Sequence, residues 1–117
     1  MKANELMIGD KVMVKVLSQI PDTYVLHTWT ANDYSRDIRV KPITLTPEIL
    51  KKNGWKHADR IFMDMRPNEN IHFSWTDKYG AALYKHGYYM CDCDYVHTLQ
   101  QALRLLGFDE LADNFKV

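Results

Sequence analysis

The hexapeptide Ile71-His72-Phe73-Ser74-Trp75-Thr76 alternates apolar and polar side chains along its length. Successive side chains of an extended chain point to opposite faces, so this period of two predicts a β-strand with one buried face. Turn-forming residues bound the strand at 67–70 and 78–80. Segments 60–65, 81–85 and 88–96 carry similar patterning, the last two being two strands around Gly87 or one bulged strand. Residues 55–96 therefore predict an antiparallel sheet of three or four strands.

A helix is predicted directly after this sheet. Apolar side chains recur at helical spacing, at Val96, Leu99, Ala102, Leu103 and Leu106, and Gly107 ends the run. Asp94 is the expected N-cap, because an aspartate side chain accepts a hydrogen bond from the first helical turn. The tail 109–115 is expected to add one short helical turn.

The N-terminal residues 1–44 also read as β structure. Lys11 to Val16 alternates polar and apolar side chains, segment 23–30 is rich in β-branched and aromatic residues, and segment 37–41 alternates again before Pro42. Turn signals separate these segments. Three or four short strands of this kind make a β meander, for which a small SH3-like barrel is one arrangement.

A short helix is expected between the two β regions. Thr46 can cap it, Pro47 suits the first helical position because its missing N–H costs nothing there, and Gly54 can end it. Strands grouped in runs favour antiparallel sheets, so the predicted class is α+β, with the C-terminal helix packed on the second sheet. We expect a single domain over 1–117, with the meander at 1–44 and a helix–sheet–helix subregion at 45–117.

The composition excludes several classes of protein. The chain has 117 residues, 46% of them hydrophobic, which is enough for one domain with a core and too apolar for a disordered segment. A formal net charge of +0 argues against a protein that mainly coats nucleic acid or an anionic membrane. No apolar run approaches the roughly 20 residues of a membrane helix, and the N-terminus lacks the apolar core of a secretory signal. We therefore expect a cytoplasmic protein.

The common catalytic motifs are missing from the sequence, which contains no P-loop, no G-x-G-x-x-G and no H-E-x-x-H. Serine, histidine and aspartate residues are scattered without the spacing of a catalytic set. The sequence therefore predicts no catalytic residue, no cofactor and no enzymatic activity.

One local feature does suggest metal chemistry. Cys91 and Cys93 lie two residues apart, with His97 just beyond them and His86 just before. Two cysteines and two histidines can hold zinc tetrahedrally, which makes Cys91, Cys93 and His97 weak candidates for a metal site, and a thiol nucleophile with a histidine base is a second reading. The Cys-x-Cys spacing is unlike the usual zinc knuckle. Two reduced cysteines acting as small core residues explain the pattern more simply.

A disulfide between the two cysteines is not expected. On a strand, residues two apart on one face lie about 6.5–7 Å apart at their α-carbons, at or beyond the upper end of the range that a disulfide spans.

A basic stretch at 36–60 holds seven basic and three acidic side chains. Aromatic residues among cations are what a single-stranded nucleic-acid platform needs for base stacking and phosphate contact. The candidate binding residues of this stretch are Arg36, Arg39, Lys41, Lys51, Lys52, Lys56 and Trp55. A solvated surface with tryptophans in the core explains the same pattern. Residues 1–60 carry a net charge of +3 and residues 61–117 carry −3, so head-to-tail docking with a partner or a second copy is a further possibility.

Tyrosines are concentrated towards the C-terminal half, at Tyr79, Tyr84, Tyr88, Tyr89 and Tyr95. A tyrosine ring suits a half-buried sheet face and a protein interface alike, because it is apolar along its body and polar at its hydroxyl. Sheet packing explains most of them, and any that face solvent would mark an interaction surface.

Three segments are notable together, namely Lys2 to Asp10, then Ile43 to Trp55, and finally Tyr95-Val96-His97-Thr98-Leu99-Gln100-Gln101 through Leu106. In this order they resemble a family of small uncharacterised proteins found in prophages and mobile elements of gut bacteria. Family members tend to show N-E-L-R-I-G-N, P-L-T-E-E-x-L and Y-V-H-x-L-Q-N in these places; this chain departs from them at Met7, Asp10, Pro47 and Gln101. The resemblance implies an accessory protein of a mobile element inside a bacterial host, and it supplies no catalytic residues.

The resemblance also draws attention to His97 and Gln100, which belong to its most specific motif. The two side chains could bond the backbone of the preceding strand and lock the helix to the sheet, or they could form a polar recognition spot.

Taken together, the sequence predicts a non-enzymatic protein-binding or adaptor module whose partner is another protein or a second copy of itself. A nucleic-acid-associated protein that uses the basic stretch 36–60 is the alternative. A metal-dependent enzyme around Cys91, Cys93 and His97 is a remote third.

Overall fold

The computed structural model describes residues 5–16, 23–35, 38–59, 63–66, 71–76, 80–86 and 88–117. Its strands are β1 Lys11–Val16, β2 Thr23–Thr28, β3 Val40–Lys41, β4 Lys56–Asp59, β5 Met63–Arg66, β6 Ile71–Thr76, β7 Gly80–Lys85 and β8 Tyr88–Asp92. Its α-helices are α1 Pro47–Lys52, α2 Val96–Leu105 and α3 Asp109–Asp113, and a 3₁₀ turn spans Ala31–Ser35. The α+β class is confirmed. In these described ranges, no helix has the length and apolar character that crossing a membrane requires.

The chain divides into two compact units. The first unit consists of Met1–Ile43 and Tyr95–Asp113, and the second of Thr44–Asp94 and Asn114–Val117. The boundary near residue 44 is where the sequence places it, but α2 lies in the first unit rather than with the second sheet. The expectation of one domain stays a prediction.

The sheet of the first unit is three-stranded and antiparallel, with the order β2-β1-β3. Val14 of β1 lies opposite Val25 on one side and Val40 on the other. The predicted meander is wrong in its order, since β3 pairs with β1 and not with β2. Val12 of β1 is fully buried. The SH3-like barrel stays a prediction, because the described strands of this sheet number three.

The core of the first unit lies against β1. Leu6, Val12, Trp29 and Val40 form a buried cluster. Helix α2 contacts β1 and α3, and its buried apolar side chains are those at the predicted helical spacing, namely Val96, Leu99, Ala102 and Leu103. Leu106, which the pattern also included, lies just beyond the helix as its C-cap.

The N-cap of helix α2 lies one residue later than predicted. Its N-cap is Tyr95, in an extended conformation and with no side-chain capping hydrogen bond, and not Asp94. The reason lies in the preceding backbone: the Val96 N–H donates to the Ile43 carbonyl at 2.8 Å, and the Asp94 carbonyl accepts from the Leu45 N–H at 2.9 Å. The chain therefore stays extended through residue 95.

A five-stranded antiparallel sheet with the sequential order β4-β5-β6-β7-β8 dominates the second unit. The predicted three or four strands become five, because Lys56–Asp59 forms β4 against β5. The predicted strand at 60–65 is described only at Met63–Arg66, the rest lying outside the described residues. Ile71 and Phe73 of β6 are buried, as their alternation predicts. Tyr88–Asp92 is a separate, bulged strand, since its register with β7 shifts between Leu83 and Tyr84.

Helix α1 has the caps that the sequence predicts. The Thr46 hydroxyl accepts from the Ile49 N–H at 3.3 Å, and Pro47 begins the helix. Gly54 follows the C-cap Asn53 with a φ of +81°, a conformation that glycine adopts without a steric penalty. The Asn53 side chain donates to the Lys116 carbonyl and accepts from the Lys116 N–H, at 2.8 and 2.7 Å, which fixes the C-terminus to α1.

Candidate functional site

The first unit contains a buried polar network around Asp10, whose side chain is fully buried. The Asp10 carboxylate accepts hydrogen bonds from the Met7 N–H at 2.8 Å, the Gln101 amide at 2.7 Å and the Arg104 guanidinium at 2.6 Å. Arg104 also approaches Asp113 at 3.3 Å. We refer to Asp10, Gln101, Arg104 and Asp113 as the Asp10 network. Because each oxygen of Asp10 has a protein donor, the network fixes the start of β1 to α2.

Gly9 lets this network form. Its φ is +95°, and a Cβ at this position would lie 2.9 Å from the Arg104 Nη2 atom. Its N–H donates to the Trp29 carbonyl at 2.8 Å, while the Trp29 N–H donates to the Asp10 carbonyl at 2.8 Å. A residue with a side chain would meet both a strained backbone and the guanidinium.

Gln100 is fully buried and has a partner for every polar group of its amide. Its oxygen accepts from the Lys11 N–H at 2.8 Å, and its nitrogen donates to the Gly9 and Ala112 carbonyls at 3.0 and 2.9 Å. These bonds join α2 to the start of β1 and to the end of α3. Gln100 therefore locks helix to sheet, although to β1 and not to the strand that precedes α2, and it has no polar group left for a ligand.

His97 is buried beside this network. Its ring stacks on Tyr95 with centroids 5.8 Å apart, and its buried Nδ1 atom has no hydrogen-bond partner among the residues that the structure describes. Burial lowers the pKa of His97, while the negative charges of Asp10 and Glu5 oppose that shift only in part. The neutral imidazole is therefore the form that this site favours.

A carboxylate–histidine pair that the sequence did not single out lies beside Trp29. The His27 Nε2–H donates to the Asp33 carboxylate at 2.7 Å, and the same oxygen accepts from the Thr30 N–H and hydroxyl at 2.8 and 2.9 Å. Burial raises the pKa of Asp33, but the hydrogen bonds from His27 and Thr30 together outweigh it and leave the pKa below its usual value. The pair closes the 3₁₀ turn onto the end of β2.

The cations of the basic stretch are divided between the two units. Arg39 and Lys41 belong to the first unit and Lys51, Lys52 and Lys56 to the second. All five are exposed, whereas Arg36 lies outside the described residues. The Lys41 ammonium lies over the Tyr24 ring, 4.0 Å from its centroid.

Trp55, the aromatic residue of the basic stretch, is only 2% exposed. Its ring is therefore part of the core of the second unit, as Trp29 is part of the core of the first. Neither ring offers a face on which a base could stack.

The two cysteines lie together in the second unit and are both reduced. Their Sγ atoms are 3.5 Å apart, with Cys93 buried and Cys91 half-buried. His97 belongs to the first unit. Within the part of the chain that the structure describes, no group of three His, Cys, Asp or Glu side chains is arranged to hold a metal ion.

Among the described residues of the second unit, the large hydrophobic side chains that are exposed lie on β8, the last strand of its sheet. Tyr88, Tyr89 and Met90 are 74%, 55% and 41% exposed. We refer to these three residues as the tyrosine surface. Of the other tyrosines that the sequence picked out, Tyr84 is half-buried and Tyr95 is exposed, while Tyr79 lies outside the described residues.

A shift in register determines how these side chains are arranged. Tyr89 lies opposite Tyr84, and Asp92 lies opposite Ala82, so the bulge at Met90 brings residues 89 and 92 to the same face of the sheet. The Tyr89 hydroxyl donates to the Asp92 carboxylate at 3.0 Å. On this face the rings of Tyr84 and Tyr89 meet edge to face, and the rings of His72 and Tyr84 stack with centroids 4.9 Å apart. An exposed aromatic ring thus lies beside an exposed carboxylate.

Comparison with known proteins gave no match to a family model, to a curated protein or to a solved structure.

Proposed function

We propose that the protein is a non-enzymatic protein-binding or adaptor module, and that it contacts its partner through the tyrosine surface. The observation that carries this proposal is the exposure of Tyr88, Tyr89 and Met90 on β8, the last strand of the sheet, where Tyr89 shares one face with Asp92 and Tyr88 lies on the other. Tyrosine and methionine are enriched in protein interfaces. The resemblance to prophage and mobile-element proteins supports a place in the cytoplasm of a bacterial host.

The chemistry of this surface favours a partner that presents arginine. Asp92 and Asp94 are exposed next to the tyrosines. A guanidinium can pair with a carboxylate through two hydrogen bonds and stack its flat face on a tyrosine ring. Asp92 and Tyr89 offer both features within one hydrogen bond of each other.

Polar residues elsewhere in the protein support the proposal, because their hydrogen-bonding groups already have partners within the protein. Gln100 is bonded to three backbone groups, and Asp10 is bonded to Arg104 and Gln101. These residues stabilise the first unit. Gln100 therefore has a structural role that requires no ligand.

The test is a selection of peptides from a random library against the intact protein, followed by measurement of their affinities by fluorescence anisotropy. We expect arginine-containing peptides whose affinity falls at least about tenfold for the Tyr88→Ser, Tyr89→Ser double variant. Asp92→Asn should weaken the same peptides, because the carboxylate charge is lost.

Leu105→Ser is the matched control, since Leu105 is 85% exposed on a different element. It should leave peptide affinity within twofold. Peptides that bind the double variant as tightly as the wild type would overturn the proposal.

Light scattering at two salt concentrations distinguishes the remaining possibilities. Self-association that the double variant abolishes would make the partner a second copy. Binding of a mixed-sequence single-stranded oligonucleotide, with an affinity that falls steeply as the salt concentration rises, would instead support the nucleic-acid alternative. The exposed cations available for such binding are Arg39, Lys41, Lys51, Lys52 and Lys56.

A further inference from the structure

The two thiols of the second unit face the same side of the sheet because residues two apart on an extended chain share a face. Cys91 lies opposite Leu83 of β7, and the Cys93 N–H donates to the Ala81 carbonyl at 3.0 Å. Residues 81 and 83 point to one face of β7, so both cysteines share that face. We refer to Cys91 and Cys93 as the thiol pair.

The thiol pair is a preformed arrangement of two soft donors in a largely apolar setting. The Sγ atoms are 3.5 Å apart, and the neighbouring side chains of Ala81 and Leu83 are buried. Cys93 is fully buried, whereas Cys91 is half-buried and gives solvent access to the pair. A rotation of the Cys91 side chain, which is the more exposed of the two, would move the sulfur atoms far enough apart to hold one ion in line between them.

The number of donors restricts the kind of ion. Zinc in structural sites takes four ligands, whereas in the described ranges the thiol pair has no third His, Cys, Asp or Glu that completes a metal-binding group. Thiolates are soft ligands and select soft ions such as Cu(I). A soft monovalent ion can be held by two thiolates alone, in a linear arrangement.

We propose that Cys91 and Cys93 form a two-coordinate site for a soft monovalent cation, Cu(I) or its analogue Ag(I). Binding replaces the two thiol protons by one cation, so two protons are released and the site changes its charge from zero to minus one. No electron is transferred. This site is independent of the tyrosine surface and goes beyond the proposed protein-binding function.

The electrostatics of the pair favour a cation over free thiolates. The exposed Asp92 and Asp94 adjoin the two cysteines along the chain and carry negative charge. The same negative charges attract a positive ion that comes to the sulfur atoms, so a bound cation offsets the cost of ionising them.

The experiment is an anaerobic titration of the reduced, full-length protein with Cu(I), in competition with a chromophoric Cu(I) chelator. We expect one Cu(I) per chain, a mass of one chain plus one ion by native mass spectrometry, and two protons released per ion. The number of ions bound per chain can be assigned to the thiol pair, because the chain contains two cysteines.

The decisive variant is Cys91→Ser, because Cys91 is half-buried and its replacement disturbs the core least. We expect its Cu(I) affinity to fall at least about 100-fold, since one thiolate cannot chelate the ion. Asp109→Asn is a matched control that removes a negative charge elsewhere and should leave affinity and stoichiometry unchanged. Far-ultraviolet circular dichroism checks that each variant is folded.

Three results would overturn the site. The first is wild-type affinity in Cys91→Ser, and the second is one ion shared by two chains. The third is a reduced protein that takes up no Cu(I) yet loses two hydrogens when a hydroperoxide oxidises it. In that case the pair would be a disulfide-forming pair, with the peroxide reduced to alcohol and water.

Discussion

Asp10 is the residue on which the first unit depends most. Its carboxylate is fully buried, and its partner Arg104 is 12% exposed. Both charges have been removed from water, so each is tolerated only because the other is present. Arg104 has a second acidic neighbour in Asp113, but that side chain is 62% exposed and its oxygen is 3.3 Å from Nε.

We predict that Asp10→Asn lowers the free energy of unfolding by about 3–5 kcal/mol, because it leaves the buried guanidinium without its counter-charge. Asp113→Asn, the control on the other side of Arg104, should cost no more than about 1 kcal/mol, since exposed ion pairs contribute little. Urea unfolding followed by circular dichroism measures both. Equal losses in the two variants would show that Asp10 is not the principal partner.

His97 makes the stability of the protein depend on pH. Burial lowers its pKa below the ordinary value of 6.5, and Asp10 and Glu5 offset this only in part. Below the ordinary value the unfolded chain takes up a proton that the folded protein does not. The contribution of His97 to the free energy of unfolding is therefore fully present above pH 6.5, and it is lost as the pH falls towards the pKa of His97 in the folded state.

We predict that the free energy of unfolding decreases between pH 8 and pH 5.5, and that His97→Phe removes a large part of this decrease. This window lies above the range in which aspartate carboxylates titrate, so Asp33 does not contribute to it. Urea titrations at three pH values across the window measure the slope. A slope that is the same in His97→Phe and the wild type would assign the effect to another group.

At the scale of single elements, local patterns predict those segments whose burial follows a simple period. Strand β6, helix α2 and the caps of α1 could all be predicted, because their apolar spacing or capping residues are contained in the segment itself. Strand β4 was missed, since Lys56-His57-Ala58-Asp59 has neither alternation nor β-branched residues and is held extended by pairing with β5.

The polar contacts of the first unit could not be predicted in the same way. Asp10 and Arg104 are distant in sequence, and Gln100 reaches back to Gly9 and Lys11. Gly9-Asp10 is recognisable in the sequence as a turn, but its partner is chosen by tertiary packing. The thiol pair, by contrast, is visible in the sequence, because a spacing of two residues places both side chains on one face of an extended chain.

Helix α2 owes its stability to one apolar stripe. We predict that Leu103→Ala costs about 2–5 kcal/mol of unfolding free energy, because Leu103 is fully buried and a cavity would remain. Leu105→Ala is the control on the same helix and should change stability by no more than about 0.5 kcal/mol, since its side chain faces solvent. Similar values for both variants would mean that α2 does not pack as described.

At the scale of the whole molecule, the first unit is assembled from two separated pieces of chain. Met1–Ile43 supplies its sheet and Tyr95–Asp113 its helices. The two pieces meet where the Val96 N–H donates to the Ile43 carbonyl at 2.8 Å. The chain therefore leaves the first unit after Ile43 and re-enters it at Tyr95 at adjacent points of that unit.

We predict that the first unit folds without the second when residues 1–43 are joined by a short Gly-Ser linker to residues 95–113. Trp29 is then the only tryptophan, because Trp55 and Trp75 lie in the removed segment, so its fluorescence reports on this unit alone. We expect cooperative urea unfolding and an emission maximum typical of a buried indole. Emission typical of exposed tryptophan without denaturant would show that the first unit needs the second.

The same interrupted layout has a consequence during translation. The ribosome releases β1, β2 and β3 first, yet α2, whose Gln100 holds the start of β1, is made only after the entire five-stranded sheet. The strands of the second sheet follow one another directly along the chain, so each can pair as soon as it emerges. We therefore expect the five-stranded sheet of the second unit to be completed first on the nascent chain. The sheet of the first unit, although its strands are made earlier, is completed only after α2 has been made.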